Sequence, residues 1–474
     1  VYLADRLGRA VLGDLTGTSW ILGAVVVALG VGSLGSALSW ILSGALALAR
    51  LQGKGVFRPP RLRVWERPLS FVVFTGVAMV LLVGGPYRGL DPLPRLASLD
   101  VATVETRHPL LLVAVDGIDR PLVWPGERPQ RIATADVAAA SLHPAAYWNE
   151  LATGFRAAEH GLGSASASGP RGFDQGLGEL REDPVLDVLV RHLLPGVGLG
   201  RMVAADRRDL RRPPVWEIAA SGGRSARIVN WWATYPAIAI EGLDVVSDRH
   251  FLRLHDGRPQ GPGLVWPPDL VVEDVPAWRA ELVAALGRLQ GYVRGREAIA
   301  TRGLGAELAS AWDLAAGADL YHVARAIEAT TKHDLVAVHL NGLDIMARAL
   351  DRHEVVAEDR AVLRAAHEAL VSDLLQRLLE HWPHDAVAVL RGRTGLWAAG
   401  PTSMPTRTVE WAPWVLWSLG VTPPLDMALP SSLRGAPLPA VRPATYGRAD
   451  APDHPDVRSG ADLEQLRSLG YIDG

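Results

Sequence analysis

His108-Pro-Leu-Leu-Leu-Val-Ala-Val-Asp116-Gly117 carries an unbroken apolar run, Leu110 to Val115, that stops at a carboxylate and a glycine. A strand with one wet face alternates apolar and polar residues. A continuous run ended by turn residues instead reads as a strand buried on both faces of a parallel sheet. Its C-terminal end would present Asp116. Similar runs recur at Ala226-Arg-Ile-Val-Asn-Trp-Trp232, Asp334-Leu-Val-Ala-Val-His-Leu340 and Ala386-Val-Ala-Val-Leu390.

Between these runs, residues 184–194, 276–294, 306–330 and 357–382 place apolar side chains three and four positions apart, the spacing of a helix with one buried face. Strands alternating with helices predict an α/β sandwich with a mainly parallel central sheet. Ligand sites in such sheets lie beyond the C-terminal ends of the strands. Asp116 and Asp344 both follow predicted strands and are the first candidate site residues. Residues 249–275, rich in Gly, Pro and charge, read as surface loops.

The chain has 474 residues, long enough for more than one structural unit. Its net charge is −3, so no global basic field draws nucleic acid, and no nucleic-acid partner is expected. Cysteine is absent, which excludes disulfides, thiol nucleophiles and thiolate metal sites. The only lysines are Lys54 and Lys332; arginine supplies the rest of the positive charge, which reads as a bias of composition.

Residues 15–49 and 68–87 contain no charged side chain. A membrane span needs about 20 apolar residues. Two transmembrane helices are therefore expected, at about 18–49 and 68–87. The loop between them holds Arg50, Lys54, Arg58, Arg61, Arg63 and Arg67 against Glu66, while the outer flanks balance. Positive charge favours the cytoplasmic side, which puts everything after residue 88 outside. The expected localisation is a bacterial cell membrane with an extracytoplasmic C-terminal part. The chain begins with Val1, which fits a fragment or a non-ATG start; two successive long spans do not read as a cleavable signal peptide. The division expected is a membrane anchor over 1–100, an α/β ectodomain over 101–445, and a tail over 446–474 with a short docked helix.

Four segments together resemble the alkaline-phosphatase superfamily, in its type I phosphodiesterase/nucleotide pyrophosphatase-like branch. They are Leu111-Leu-Val-Ala-Val-Asp-Gly117; Trp148-Asn-Glu-Leu-Ala-Thr-Gly154 with Glu159-His-Gly-Leu162; Val229-Asn-Trp-Trp-Ala-Thr-Tyr-Pro-Ala237 with Gly242-Leu-Asp-Val-Val-Ser-Asp248; and Asp334-Leu-Val-Ala-Val-His-Leu-Asn-Gly-Leu-Asp344. The likeness spans about residues 108–425. It implies a three-layer sandwich and a pair of divalent cations, usually zinc. Such cations, about 4 Å apart, clamp the attacking and leaving oxygens of a phosphoryl displacement. Six carboxylate and imidazole ligands hold them, and a Ser or Thr is the nucleophile.

Carried onto this chain, the motif is incomplete. Asp116 and Asp344 match two ligand positions. Arg348 stands where the family has His, four residues after Asp344. After the strand at 386–390 the family has an Asp-His pair; this chain reads Arg391-Gly-Arg393, and no Asp or His occurs from 386 to 425. The nucleophile position falls on Pro144 without gaps; Ser141 and His143 are weak candidates for a catalytic role. Two carboxylates do not make a zinc pair, since each zinc takes three or four protein ligands. Buried carboxylates left without cations cost several kcal/mol each. Arg348, Arg391 and Arg393 could replace the lost positive charge, because a guanidinium forks onto a carboxylate.

The resemblance thus implies a pseudo-hydrolase without a cofactor that binds a phosphate-bearing ligand or a protein partner. The alternative is an active metal-dependent phosphoester hydrolase or phosphotransferase with a rearranged zinc or other divalent site. In a third reading the ectodomain is incidental to the membrane part; the apolar stretches carry no charge, so they suggest an anchor rather than a transporter. Elsewhere, Arg207-Arg-Asp-Leu-Arg-Arg212 reads as a solvated face, His160 as structural, and Trp231, Trp232 and the Trp411/Trp414/Trp417 set as core.

Overall fold

The computed structural model describes residues 96, 100–103, 109–118, 130–131, 142–170, 200–258, 261–270, 275–392, 396–400, 404–433, 442–447 and 460–472. The expected spans at 18–49 and 68–87 lie outside these residues, as do the predicted helix over 184–194, Ser141 and Arg393. Among the described residues no helix is long and apolar enough to cross a membrane.

The strands are β1 (Leu110–Asp116), β2 (Gln130–Arg131), β3 (Ser166–Pro170), β4 (Gly200–Ala204), β5 (Ala226–Val229), β6 (Leu243–Val246), β7 (Val265–Trp266), β8 (Leu335–Leu340), β9 (Asp385–Arg391) and β10 (Leu396–Ala399). Eight form one sheet in the order β2-β10-β9-β1-β8-β5-β6-β7, and β3 pairs with β4 in a separate antiparallel ribbon. The five central strands, β9 to β6, are parallel; β10, β2 and β7 add antiparallel pairings at the two edges. The fold is α/β with a mixed, mostly parallel sheet. Every residue of β1 and of β8 is buried, which is why these strands are apolar apart from Asp116 and His339.

The α-helices longer than the four-residue turn Ala157–His160 are α1 (Pro144–Thr153), α2 (Val215–Ser221), α3 (His250–His255), α4 (Val275–Leu286), α5 (Gln290–Thr301), α6 (Ala306–Ile327), α7 (Gly342–Arg352), α8 (Ala357–Glu380), α9 (Trp411–Ser418) and α10 (Gly460–Ser468). The single helix expected over 276–294 is two, α4 and α5. Gly287, a poor helix former, follows the last residue of α4, although the apolar spacing runs on past it. The surface-loop reading of 249–275 is also corrected: α3 and β7 lie there, and Phe251 and Leu254 are buried. Six residues, two of them His and one Arg, are too few to show a helical period.

The solvated-face reading of 207–212 fails at Arg207, which is 2% exposed. Its Nε donates to Glu217 at 2.6 Å, so a buried charge is matched by a buried charge. Trp231, Trp232, Trp411 and Trp414 are buried in the core, and Trp417 packs partly buried against it.

β1 lies between β8 and β9, and the chain crosses from one neighbour to the other through α7 and α8. The C-terminal ends of β1, β5, β8 and β9 therefore lie side by side. Gly117 makes that edge tight. Its φ is +84°, and a Cβ there would stand 2.4 Å from the Asp344 nitrogen. The turn leaving β1 thus presses directly on the first turn of α7, which places Asp116 and Asp344 at one spot.

Candidate functional site

The site is built from strand ends. Asp116 closes β1, and in the parallel pairing its register partner on β9 is Arg391. Arg391 Nη1 donates to Asp116 Oδ1 at 2.8 Å. Its other terminal nitrogen donates to the Leu142 carbonyl, and its guanidinium lies 5.4 Å from the Tyr147 ring centroid. Asp116 Oδ1 also accepts from the Gly117 backbone at 3.1 Å, and Oδ2 accepts from the Trp148 indole at 3.0 Å. Both carboxylate oxygens are engaged and the residue is 1% exposed. Burial pushes the Asp116 carboxyl up; Arg391 and the Trp148 indole N–H outweigh it and hold the group below its ordinary value.

His339, on β8, is also part of this cluster, though sequence reasoning did not single it out. Nδ1 lies 3.2 Å from the Asn230 carbonyl, which sets the tautomer with its proton there. Nε2 is 4.0 Å from Asp116 Oδ2 and has no hydrogen-bond partner among the described residues. Burial holds the imidazole below its ordinary value, although Asp116 pulls the other way.

Asp344 stands in the first turn of α7, where the helix dipole favours a carboxylate. Arg348, one turn on, donates from Nε to Asp344 Oδ2 at 2.9 Å. Burial and the Asp116 charge raise the Asp344 carboxyl, against the pull of Arg348. An Asp–Arg pair at this spacing is ordinary on any helix. The distinguishing feature is its second partner: Arg348 Nη1 donates to the Gly470 carbonyl at 2.6 Å, and its guanidinium lies 4.4 Å from the Tyr471 ring centroid. Burial and Asp344 push the Tyr471 phenol well above its ordinary value.

Of the two weak catalytic candidates, only His143 lies among the described residues. His143 caps α1: Nδ1 accepts from the Ala145 backbone at 3.1 Å, and Nε2 reaches the Tyr471 carbonyl at 3.1 Å. Both ring nitrogens are thus spent on backbone groups, which leaves no lone pair to act as a base. Ser141 and Arg393 lie outside the described residues. Pro144, the first residue of α1, carries no nucleophilic atom.

The donor set does not suit a zinc pair. Among the described residues no group of three or more His, Asp or Glu could hold a metal ion. At the cluster itself, Asp116 spends its oxygens on Arg391, Gly117 and Trp148, and Asp344 is paired with Arg348. Two positive side chains face two carboxylates, so the charges balance without a cation.

Sequence reasoning missed Trp148, His339 and Tyr471 as members of the cluster. Trp148 and His339 sat inside the quoted segments but belong to no ligand pattern. Tyr471 lies far along the chain, and nothing local marks it. No family model matches the chain, and no curated protein matches it.

Proposed function

We propose that this chain is a degenerate member of the alkaline-phosphatase superfamily, in its type I phosphodiesterase/nucleotide pyrophosphatase-like branch. It would be tethered to a membrane by its N-terminal apolar segments, with a three-layer sandwich on the extracytoplasmic side that no longer hydrolyses phosphoesters and acts by binding a ligand or partner. One observation carries the reading: Arg391 is paired with Asp116 at the buried edge of the sheet, where a metal-dependent relative would need a cation. The second pair, Arg348 with Asp344, supports it. The sheet order, with Asp116 and Asp344 together at the strand ends, supports the superfamily resemblance without selecting a substrate.

The test is turnover. The purified chain is incubated with zinc, manganese or magnesium and an aryl phosphodiester or phosphomonoester, beside its Asp116→Asn variant. The proposal expects no metal-dependent turnover above that variant. Metal-stimulated hydrolysis that Asp116→Asn abolishes would restore the alternative, an active phosphoester hydrolase.

A further inference from the structure

The C-terminal segment is bound by the rest of the domain as a ligand would be. Asp462, on α10, is 1% exposed and receives three guanidinium groups. Arg249 Nη1 reaches it at 3.1 Å, Arg253 Nη2 at 2.6 Å and Nε at 3.2 Å, and Arg258 Nη1 at 3.0 Å. These arginines lie on or beside α3, more than two hundred positions earlier. Two other carboxylates face the arginines: Asp248, 3.9 Å from Arg249, and Asp256, 3.3 Å from Arg258. One turn on, Gln465 donates to the Leu252 carbonyl at 3.2 Å and to Asp256 at 2.9 Å.

The far end of the same segment covers the Asp116/Asp344 cluster. The Gly470 carbonyl accepts from Arg348 and the Tyr471 carbonyl from His143. The Tyr471 ring stands edge-on to Trp232, with centroids 5.0 Å apart, and packs on Arg348. A helix of nine residues does not hold itself together in water. Its place is set by these polar contacts and by the burial of Leu463, Leu466, Leu469 and Tyr471.

We propose that Arg249, Arg253 and Arg258 form an oxyanion-binding socket whose resident ligand is the Asp462 carboxylate, and that filling it latches the C-terminal segment over the Asp116/Asp344 cluster. The chemistry is specific. Three guanidinium groups around one carboxylate give charge-assisted hydrogen bonds from several directions, and without it three positive charges face only Asp248 and Asp256, which leaves positive charge in excess. An emptied socket therefore both loosens the segment and accepts a small oxyanion in its place. The significance of closure rests on reading the covered cluster as the binding site. The latch does not, so metal-dependent turnover would sink that reading and leave the latch intact.

The experiment uses the full chain carrying Asp462→Ala. Hydrogen exchange is followed by mass spectrometry over 460–472 and over β8, and labelling of Arg348 by phenylglyoxal is mapped. The expected result is roughly tenfold or greater acceleration of exchange over 460–472. Arg348 labels faster, and β8 protection is unchanged. Formate restores slow exchange and slow labelling; chloride at equal ionic strength does not. Wild-type exchange and labelling in the variant, or equal effects of formate and chloride, would overturn the proposal. If Asp462→Ala also loses β8 protection, Asp462→Asn decides: loosening confined to 460–472 supports the latch, and unchanged exchange there refutes it.

Discussion

Asp116 and Arg391 are register partners on adjacent parallel strands, 275 positions apart in sequence, and their side chains meet at 2.8 Å in the buried edge of the sheet. A charge at 1% exposure needs a partner, and the sheet supplies one by geometry alone: whatever residue ends β9 faces whatever residue ends β1. The pair therefore ties the site's electrostatics to the stability of the fold.

Removing one partner should be costly. Arg391→Met leaves the Asp116 carboxylate buried without its cation, and a loss of about 3–5 kcal/mol is expected, read from the urea midpoint. Adding Asp116→Leu should recover most of that loss, because replacing a buried pair by apolar side chains is often neutral. A double variant as unstable as the single one would show that Arg391 acts through packing instead.

Asp344 should behave differently. It is partly exposed, its pair with Arg348 lies within one helix, and the Asp116 charge opposes its ionisation. Asp344→Asn removes that repulsion and keeps an acceptor for Arg348. A stability change within about 1 kcal/mol is expected. A loss as large as that of Arg391→Met would mean the two pairs form one indivisible network.

Acid should destabilise the fold through buried neutral histidines. Burial holds His160 down to about 3 and His250 to about 4, and holds His322 and His339 below the ordinary 6.5. As pH falls below 6.5 the unfolded chain takes up these protons and the folded chain does not, so stability falls from 6.5 towards the folded values. Each such histidine contributes about 1.4 kcal/mol per pH unit within its window. Asp344, whose carboxyl is raised, works in the opposite direction at the lower end. Urea midpoints between pH 7.5 and 4.5 measure the slope. His160→Asn should flatten it, and an unchanged slope would remove His160 from the account.

The strands were the most legible part of this fold. β1, β8 and β9 are parallel and buried along most of their length, so their sequences contain little but apolar residues. The helix starting near residue 306 was equally plain, because α6 keeps its apolar spacing over 22 residues. The break between α4 and α5 was hidden by spacing that continues across Gly287. Arg207 was misread because periodicity reports which side chains are apolar and not which charges find a buried partner, here Glu217 ten positions later. At the site, Asp116, Asp344, Arg348 and Arg391 were visible because a motif supplied the positions. Tyr471 was not, since its contact with Arg348 spans more than a hundred residues and depends on where α10 docks.

The central claim is that arginine charge occupies the place where a cation pair would sit. Metal content, measured by mass spectrometry on chain purified in zinc-supplemented buffer and then dialysed, tests it most directly. Zinc well below one equivalent is predicted, with no rise in Arg391→Met, since that variant still lacks the donors. Two tightly held zinc ions per chain, lost in Asp116→Asn, would contradict it.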